Sequence, residues 1–237
     1  LYPFAKKNGM RKAPLLVVKP DAEAPANGYP VVIYQHGIFG NRTNSLAVAN
    51  TMASAGFVTV AMDLPLHGVM PTDLVGSTPM LGLLLGAQDV AADAATIGAA
   101  TVAERHFGLT NVANGFSPTA VSGTEAALNG SGSLFFNLIH LQTARDNSRQ
   151  AVMDLLNLNA SLASFDLDND VETTDIDVSQ VHYIGHSLGG IIGTVFVATN
   201  NLNGKTLIGP GLYLNPNGNA ALPLITETVL GMPGSAT

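Results

Sequence analysis

From Val181 to Gly190 the chain reads Val-His-Tyr-Ile-Gly-His-Ser-Leu-Gly-Gly, and Ile191–Ala198 continues as Ile-Ile-Gly-Thr-Val-Phe-Val-Ala. The first half is apolar and β-favouring, and the last run suits a buried helix. Between them stands Gly-x-Ser-x-Gly. A strand that turns into a helix over so few residues needs glycines at the crossing, here Gly185 and Gly189, so that the two backbones can approach. The same turn forces Ser187 at its apex into a strained conformation, exposes its hydroxyl and places the Leu188 amide at the helix N-terminus. The run therefore predicts strand, elbow and helix, with Ser187 as a candidate nucleophile. A glycine-rich turn with a purely structural role is the bland alternative.

Upstream, Val31-Val32-Ile33-Tyr34 is a continuous apolar run, as a strand buried on both faces of a parallel sheet requires. It ends in Gln35-His36-Gly37-Ile38-Phe39-Gly40. Asn41–Ala55 has helical character, with Leu46, Ala49, Met52 and Ala53 at helical spacings and Gly56 as its stop. Phe57–Met62 is the next strand, closed by Asp63-Leu64-Pro65-Leu66-His67-Gly68. Strand, helix, strand with short links is a βαβ unit. Leu15–Lys19 is a shorter strand candidate.

The alternation then stops. From about Val69 to Leu141 the chain is Gly- and Ala-rich, with apolar runs such as Leu81-Gly82-Leu83-Leu84-Leu85, and no clear strand. A helical cap or lid, emerging where sheet enzymes place their sites, accounts for an apolar stretch of this length. Thr143–Leu158 predicts a helix with Val152, Leu155 and Leu156 on its apolar face, packed beside the elbow strand. Beyond the elbow helix, Thr206–Leu214 reads as one more strand and Ala221–Leu230 as a short helix.

Composition narrows the possible functions. With 237 residues, 46% of them hydrophobic and 11% charged, the chain can build one large core, and no linker or charge run divides it. We therefore read residues 1–237 as one catalytic domain carrying the insertion. A net charge of −7 gives no support to nucleic-acid binding, and the absence of cysteine excludes disulfides, thiolate metal sites and cysteine nucleophiles. Asp73, Asp89 and Asp93 interrupt the longest apolar stretch, so a transmembrane segment is not expected, although transient contact with a lipid surface is compatible. Signal-peptide features are missing from the start at Leu1, and the Asn-, Ala-, Gly- and Thr-rich loops suit a secreted or cell-surface bacterial protein whose leader has been removed.

An elbow serine needs an oxyanion hole and a base. His36-Gly37-Ile38 follows the first buried strand, and the Ile38 N–H can join that of Leu188 as the second donor; an ordinary strand-ending turn is the alternative. His36 and His186 belong to the two turns and suit backbone orientation, whereas His67 suits the cleft rim or a local hydrogen bond. His106 and His140 lie in the insertion, and His182 in the elbow strand. All six histidines precede Ser187, and Glu227 is the only acid after it. Asp166-x-Asp168-x-Asp170 has the spacing of a calcium loop, but Val171 stands where the turn glycine belongs and Asp177 where glutamate does. A solvated acidic loop is the preferred reading, and no cofactor is expected.

These motifs resemble the α/β-hydrolase superfamily. Tyr34-Gln35-His36-Gly37-Ile38-Phe39-Gly40-Asn41, Asp63-Leu64-Pro65-Leu66-His67-Gly68, Arg145-Asp146-Asn147-x-Arg149-Gln150 and the elbow itself look more narrowly like bacterial extracellular, virulence-factor-type lipases and lysophospholipases. The resemblance implies an α/β fold with a mainly parallel sheet, flanking helices and a helical lid. It also implies hydrolysis of lipid or acyl esters, with Ser187 as nucleophile and Ile38 and Leu188 as oxyanion donors. In that fold the acid and the histidine follow the serine. The expectation is thus a chain lacking its C-terminal part, which would supply both and serve as a partner to this portion; the expected sheet edge lies near Thr206–Leu214. A rearranged triad using an upstream histidine such as His67, a non-catalytic ligand-binding module, and an acyltransferase or polyester depolymerase remain open.

Overall fold

A computed structural model describes residues 8–69, 104–106, 110–112, 115–117, 130–137, 140–168, 175–201 and 222–231. Its main sheet has five strands in the order β1 (Leu15–Val18), β3 (Val58–Met62), β2 (Tyr29–Gln35), β6 (Ile176–His186) and β7 (Ile225–Gly231). β1 runs antiparallel to β3, and the other neighbours are parallel. The mixed sheet with flanking helices agrees with the sequence reading. Because β2 pairs with β3 on one side and with β6 on the other, the chain reverses its direction of progress across the sheet at β2/β6. That is a switch point, where a crevice opens beyond the strand C-termini.

Strand parity separates two buried faces. Val31 and Ile33 of β2, Val58, Val60 and Met62 of β3, and Val181 and Tyr183 of β6 share one core. With them pack Leu155 and Leu158 of α2 (Leu141–Ser161) and Ile192 and Phe196 of α3 (Leu188–Asn200). Val32, Tyr34 and Ala61 have the opposite parity and are buried too, which explains why these strands read as unbroken apolar runs. α1 (Leu46–Ser54) follows one 3-10 turn over Arg42–Ser45, capped by the Asn41 side chain, which accepts from the Thr43 amide at 2.9 Å. That polar start is the N-cap chemistry expected of asparagine.

Several expectations need correction. Residues 225–230 of the expected Ala221–Leu230 helix belong instead to parallel strand β7, because the β-branched run Ile225-Thr226-Glu227-Thr228-Val229 suits a strand and pairs with β6. On the elbow side of the described sheet the edge strand is accordingly β7, while Thr206–Leu214 lies outside the described residues. α2 packs against the elbow helix α3 and shares one core with Val181 and Tyr183 of the elbow strand. Its fully buried face is Ala151, Leu155, Leu158 and Asn159, with Val152 and Leu156 at the margin. The described part of the 69–141 insertion contains an antiparallel pair, β4 (Thr110–Val112) with β5 (Gly115–Ser117), on either side of an Asn114-Gly115 turn signal. Most of the insertion, including the runs that suggested a lid, lies outside the described residues.

Candidate active site

Ser187 occupies the turn between β6 and α3 with φ 52° and ψ −116°. For a residue with a Cβ this is a strained conformation. Phe39, Leu66 and Ser187 are the positive-φ non-glycine residues among those described, and they follow β2, β3 and β6 respectively. Backbone strain thus gathers at the C-terminal end of the sheet, as it does around functional sites. The elbow is held on two sides. The Ser187 amide donates to Gly231 O at the end of β7 at 2.6 Å, and the Ser187 carbonyl accepts from Gly190 N at 2.8 Å.

The glycines do what the spacing implied. A Cβ on Gly185 would lie 2.6 Å from Gly189 O, and one on Gly189 would strike the Gln35 carbonyl. α3 can therefore start directly over the end of β2. The result is a contact between segments 150 residues apart in sequence: a Cβ on Gly37 would lie 2.9 Å from Ser187 Cβ. Only glycine lets the His36-Gly37-Ile38 turn approach the serine this closely.

His36 fixes that turn. The Leu64 amide donates to its Nε2 at 3.1 Å, so the ring proton is on Nδ1, which donates to Gly37 O at 2.7 Å. The same carbonyl accepts from Gly40 N at 3.1 Å, closing a turn whose positive-φ third residue, Phe39, marks it as type II. With its oxygen held at two points, the Gly37–Ile38 peptide plane is fixed, and with it the direction of the Ile38 N–H. The expectation that His36 orients backbone is met.

His67 is fully buried and does not line a cleft rim. Its Nδ1 meets Pro65 O at 2.9 Å, its Nε2 has no hydrogen-bond partner, and its ring lies 4.9 Å from that of His36 and 5.4 Å from that of Phe135. Burial lowers the His36 pKa to about 4 and that of His67 to about 3, the latter also through the nearby His36. Both rings are neutral at physiological pH. Among the described residues no histidine nitrogen hydrogen-bonds the Ser187 hydroxyl, and the local bonds of His36 and His67 engage them elsewhere.

These shifts have a consequence for stability. The unfolded chain protonates both histidines near pH 6.5, while the folded chain resists protonation until about pH 4 and 3. Stability contributed by their neutral forms is present above pH 6.5 and falls as pH drops toward 4, by up to about 1.4 kcal/mol per pH unit for each ring. Denaturant titrations across pH 7 to 4 should show this slope, and it should shrink in His67→Phe. An unchanged slope in that variant would contradict the burial argument.

Sequence reading missed a buried ionic cluster under the site. Arg42, next to the capping Asn41, donates to Asp63 at 2.5 Å and to both Glu104 oxygens at 2.8 and 2.6 Å. All three residues are less than a tenth exposed. Glu104 also accepts from the Val69 amide at 2.7 Å, and Asp63 from the Arg42 amide at 2.6 Å. A second tie comes from Ser131, which accepts from Gly68 N at 3.1 Å and donates to Gly40 O at 2.6 Å. Two described pieces of the insertion thereby clamp the loops that follow β2 and β3. The sequence signal was a paired acid and base in an otherwise weakly charged stretch, Glu104-Arg105, which no local pattern connects to Arg42.

Asp166, Asp168 and Asp175 bring carboxylate oxygens within 4.8 Å of one another. Asp175 caps the loop by accepting from the Leu167 amide.

The sharp strand–serine–helix elbow stands at the sheet's switch point against a glycine turn. The fold is α/β, a mainly parallel sheet with flanking helices. The sequence profile of a family described as platelet-activating factor acetylhydrolase, isoform II, matches this chain over residues 9–67, from before β1 through the loop after β3. No curated protein matches it in sequence. Among solved structures it is similar to a lipase in its open form, with 16% identity, TM-score 0.35 and coverage of 78% of this chain and 35% of that one. It is also similar to acetyl xylan esterase 1 from Thermoanaerobacterium sp. JW/SL YS485, with 19% identity, TM-score 0.37 and coverage of 78% and 39%. A protein named BES from Bacillus cereus shows 15% identity, TM-score 0.29 and coverage of 84% and 55%. This chain thus spans between 35% and 55% of the length of these three chains.

Proposed function

We propose that this protein is a serine carboxylic-ester hydrolase acting on acyl or lipid esters, with Ser187 as its nucleophile. The observation that carries the reading is the strained elbow at Ser187 with Gly37 packed against its Cβ. The Ser187 oxygen attacks the ester carbonyl and its proton passes to a general base. The carbonyl oxygen becomes an oxyanion, received by the amides of Leu188 and Ile38. As the first residue of α3, Leu188 has an amide with no acceptor within the helix. Collapse of the tetrahedral intermediate breaks the C–O bond and releases the alcohol with a proton. Water then repeats the sequence on the acyl-serine and releases the acid.

A fluorophosphonate probe applied to the gene product in full should label Ser187 and no other serine. Peptide mapping that places the label elsewhere would remove the nucleophile assignment. Adding alcohol acceptors and analysing products separates hydrolysis from acyl transfer.

The oxyanion assignment has its own test in Ile38→Pro. Ile38 is the second residue of the type II turn, a position that proline favours, so the substitution deletes one N–H with little cost to the backbone. Loss of one such donor lowers kcat by about 10²–10³-fold. A folded Ile38→Pro protein with wild-type kcat would exclude the Ile38 amide as a donor.

A further inference from the structure

Resting on the esterase reading of the Ser187 site, we infer that Phe39 is the specificity residue against which the acyl chain of the substrate lies. Phe39 takes φ 63° at the third position of the Gly37–Gly40 turn, where glycine is the residue of least strain. A bulky side chain there costs about 1–2 kcal/mol. The ring is nevertheless 60% exposed to solvent, so it gains only part of what burial would return. The turn itself is closed by backbone and by His36, through bonds from Gly40 N and His36 Nδ1 to Gly37 O, none of which uses the Phe39 side chain. A strained and exposed aromatic that the turn does not need is offset when an apolar ligand covers it.

Its position says which ligand. Phe39 lies two residues beyond Gly37, the glycine packed on Ser187, so its turn adjoins the place where an ester carbonyl would sit. A second exposed phenylalanine, Phe136 at 47%, stands on the neighbouring loop, which Ser131 ties to Gly40 at 2.6 Å. Phe136 is backed by Phe135, ring to ring at 5.1 Å, and Phe135 by the buried His67. Two exposed apolar rings thus stand on two hydrogen-bonded loops, one of which packs its Gly37 on Ser187, and this suits an aliphatic chain and not a polyhydroxylated group.

Ethyl octanoate and octyl acetate, isomers with the long chain on opposite sides of the ester, provide the test, with ethyl acetate as the short reference. For Phe39→Gly we expect kcat/KM on ethyl octanoate to fall about tenfold or more, a loss of contact with a few methylenes. Ethyl acetate and octyl acetate should change less than about threefold, and Tm should be unchanged or higher because the turn strain is relieved. Phe39→Leu should keep most of the chain-length preference. A fall on all three esters alike would make Phe39 a part of the oxyanion turn. A fall confined to octyl acetate would put the alcohol there, and no fall would leave the ring without a role; each overturns the inference. Calorimetric binding of ethyl octanoate to Ser187→Ala, with and without Phe39→Gly, reads the same contact without turnover. It distinguishes failure of this inference from failure of the nucleophile assignment, which would show instead as full hydrolysis by Ser187→Ala.

Discussion

Ser187→Ala should lower ester turnover by about 10⁴-fold or more while leaving the protein folded. The magnitude follows from chemistry: without the hydroxyl no acyl-enzyme can form, and only binding and the oxyanion amides remain. Folding should be spared because the serine side chain caps no helix amide, and its backbone is held by Gly231 O and Gly190 N through groups that alanine retains. Alanine at φ 52° carries the same strain as serine, so Tm should stay close to wild type. The informative measurement pairs turnover of a soluble ester with a thermal melt on the same sample. Retention of more than about a tenth of wild-type turnover would remove Ser187 from the reaction, whatever the elbow geometry suggests.

The second large effect is structural. Glu104→Ala should cost about 3–5 kcal/mol, a large fraction of the stability of an ordinary domain. Arg42 is 2% exposed and shares its guanidinium between Asp63 and Glu104, so deleting Glu104 leaves a buried cation only partly compensated. The Val69 amide loses its acceptor as well. Glu104→Gln keeps the side-chain volume and one acceptor oxygen, although its NH2 then faces an N–H donor, and should be milder than alanine. Urea unfolding with an unchanged m-value reads the difference directly, and a loss under about 1 kcal/mol would mean that water or another group reaches Arg42 in the variant. Because the same cluster holds the loops after β2 and β3, partly folded Glu104 variants should also lose activity.

Much of this molecule was legible in local pattern. β2 and β3 showed themselves as unbroken apolar runs because both faces of a parallel strand are buried. The elbow showed itself because strand, strained serine and helix demand glycines at fixed offsets. The roles of Gly37 and His36 were visible only as a glycine and a polar residue at a strand end. Their meaning came from the placement of β6 beside β2, which sets Gly37 against a serine 150 residues later. Position 225–231 shows the limit from the other side. Its local pattern fits a short helix as well as a strand, and a free edge on β6 decided the matter.

The sequence by itself determined what each segment could become: a buried strand, a capped turn, a strand–serine–helix elbow, a chain without cysteine chemistry. Those properties depend on neighbours within a few residues, through side-chain periodicity, φ preferences and the absence of a Cβ. Tertiary structure alone decided which turns share a site, which histidines are locked as neutral props, and where the charge of Arg42 is balanced. Those depend on contacts between distant segments and on the removal of water around them. Burial and long-range hydrogen bonding give His36, His67 and Glu104 their roles, and neither leaves a periodic trace along the chain.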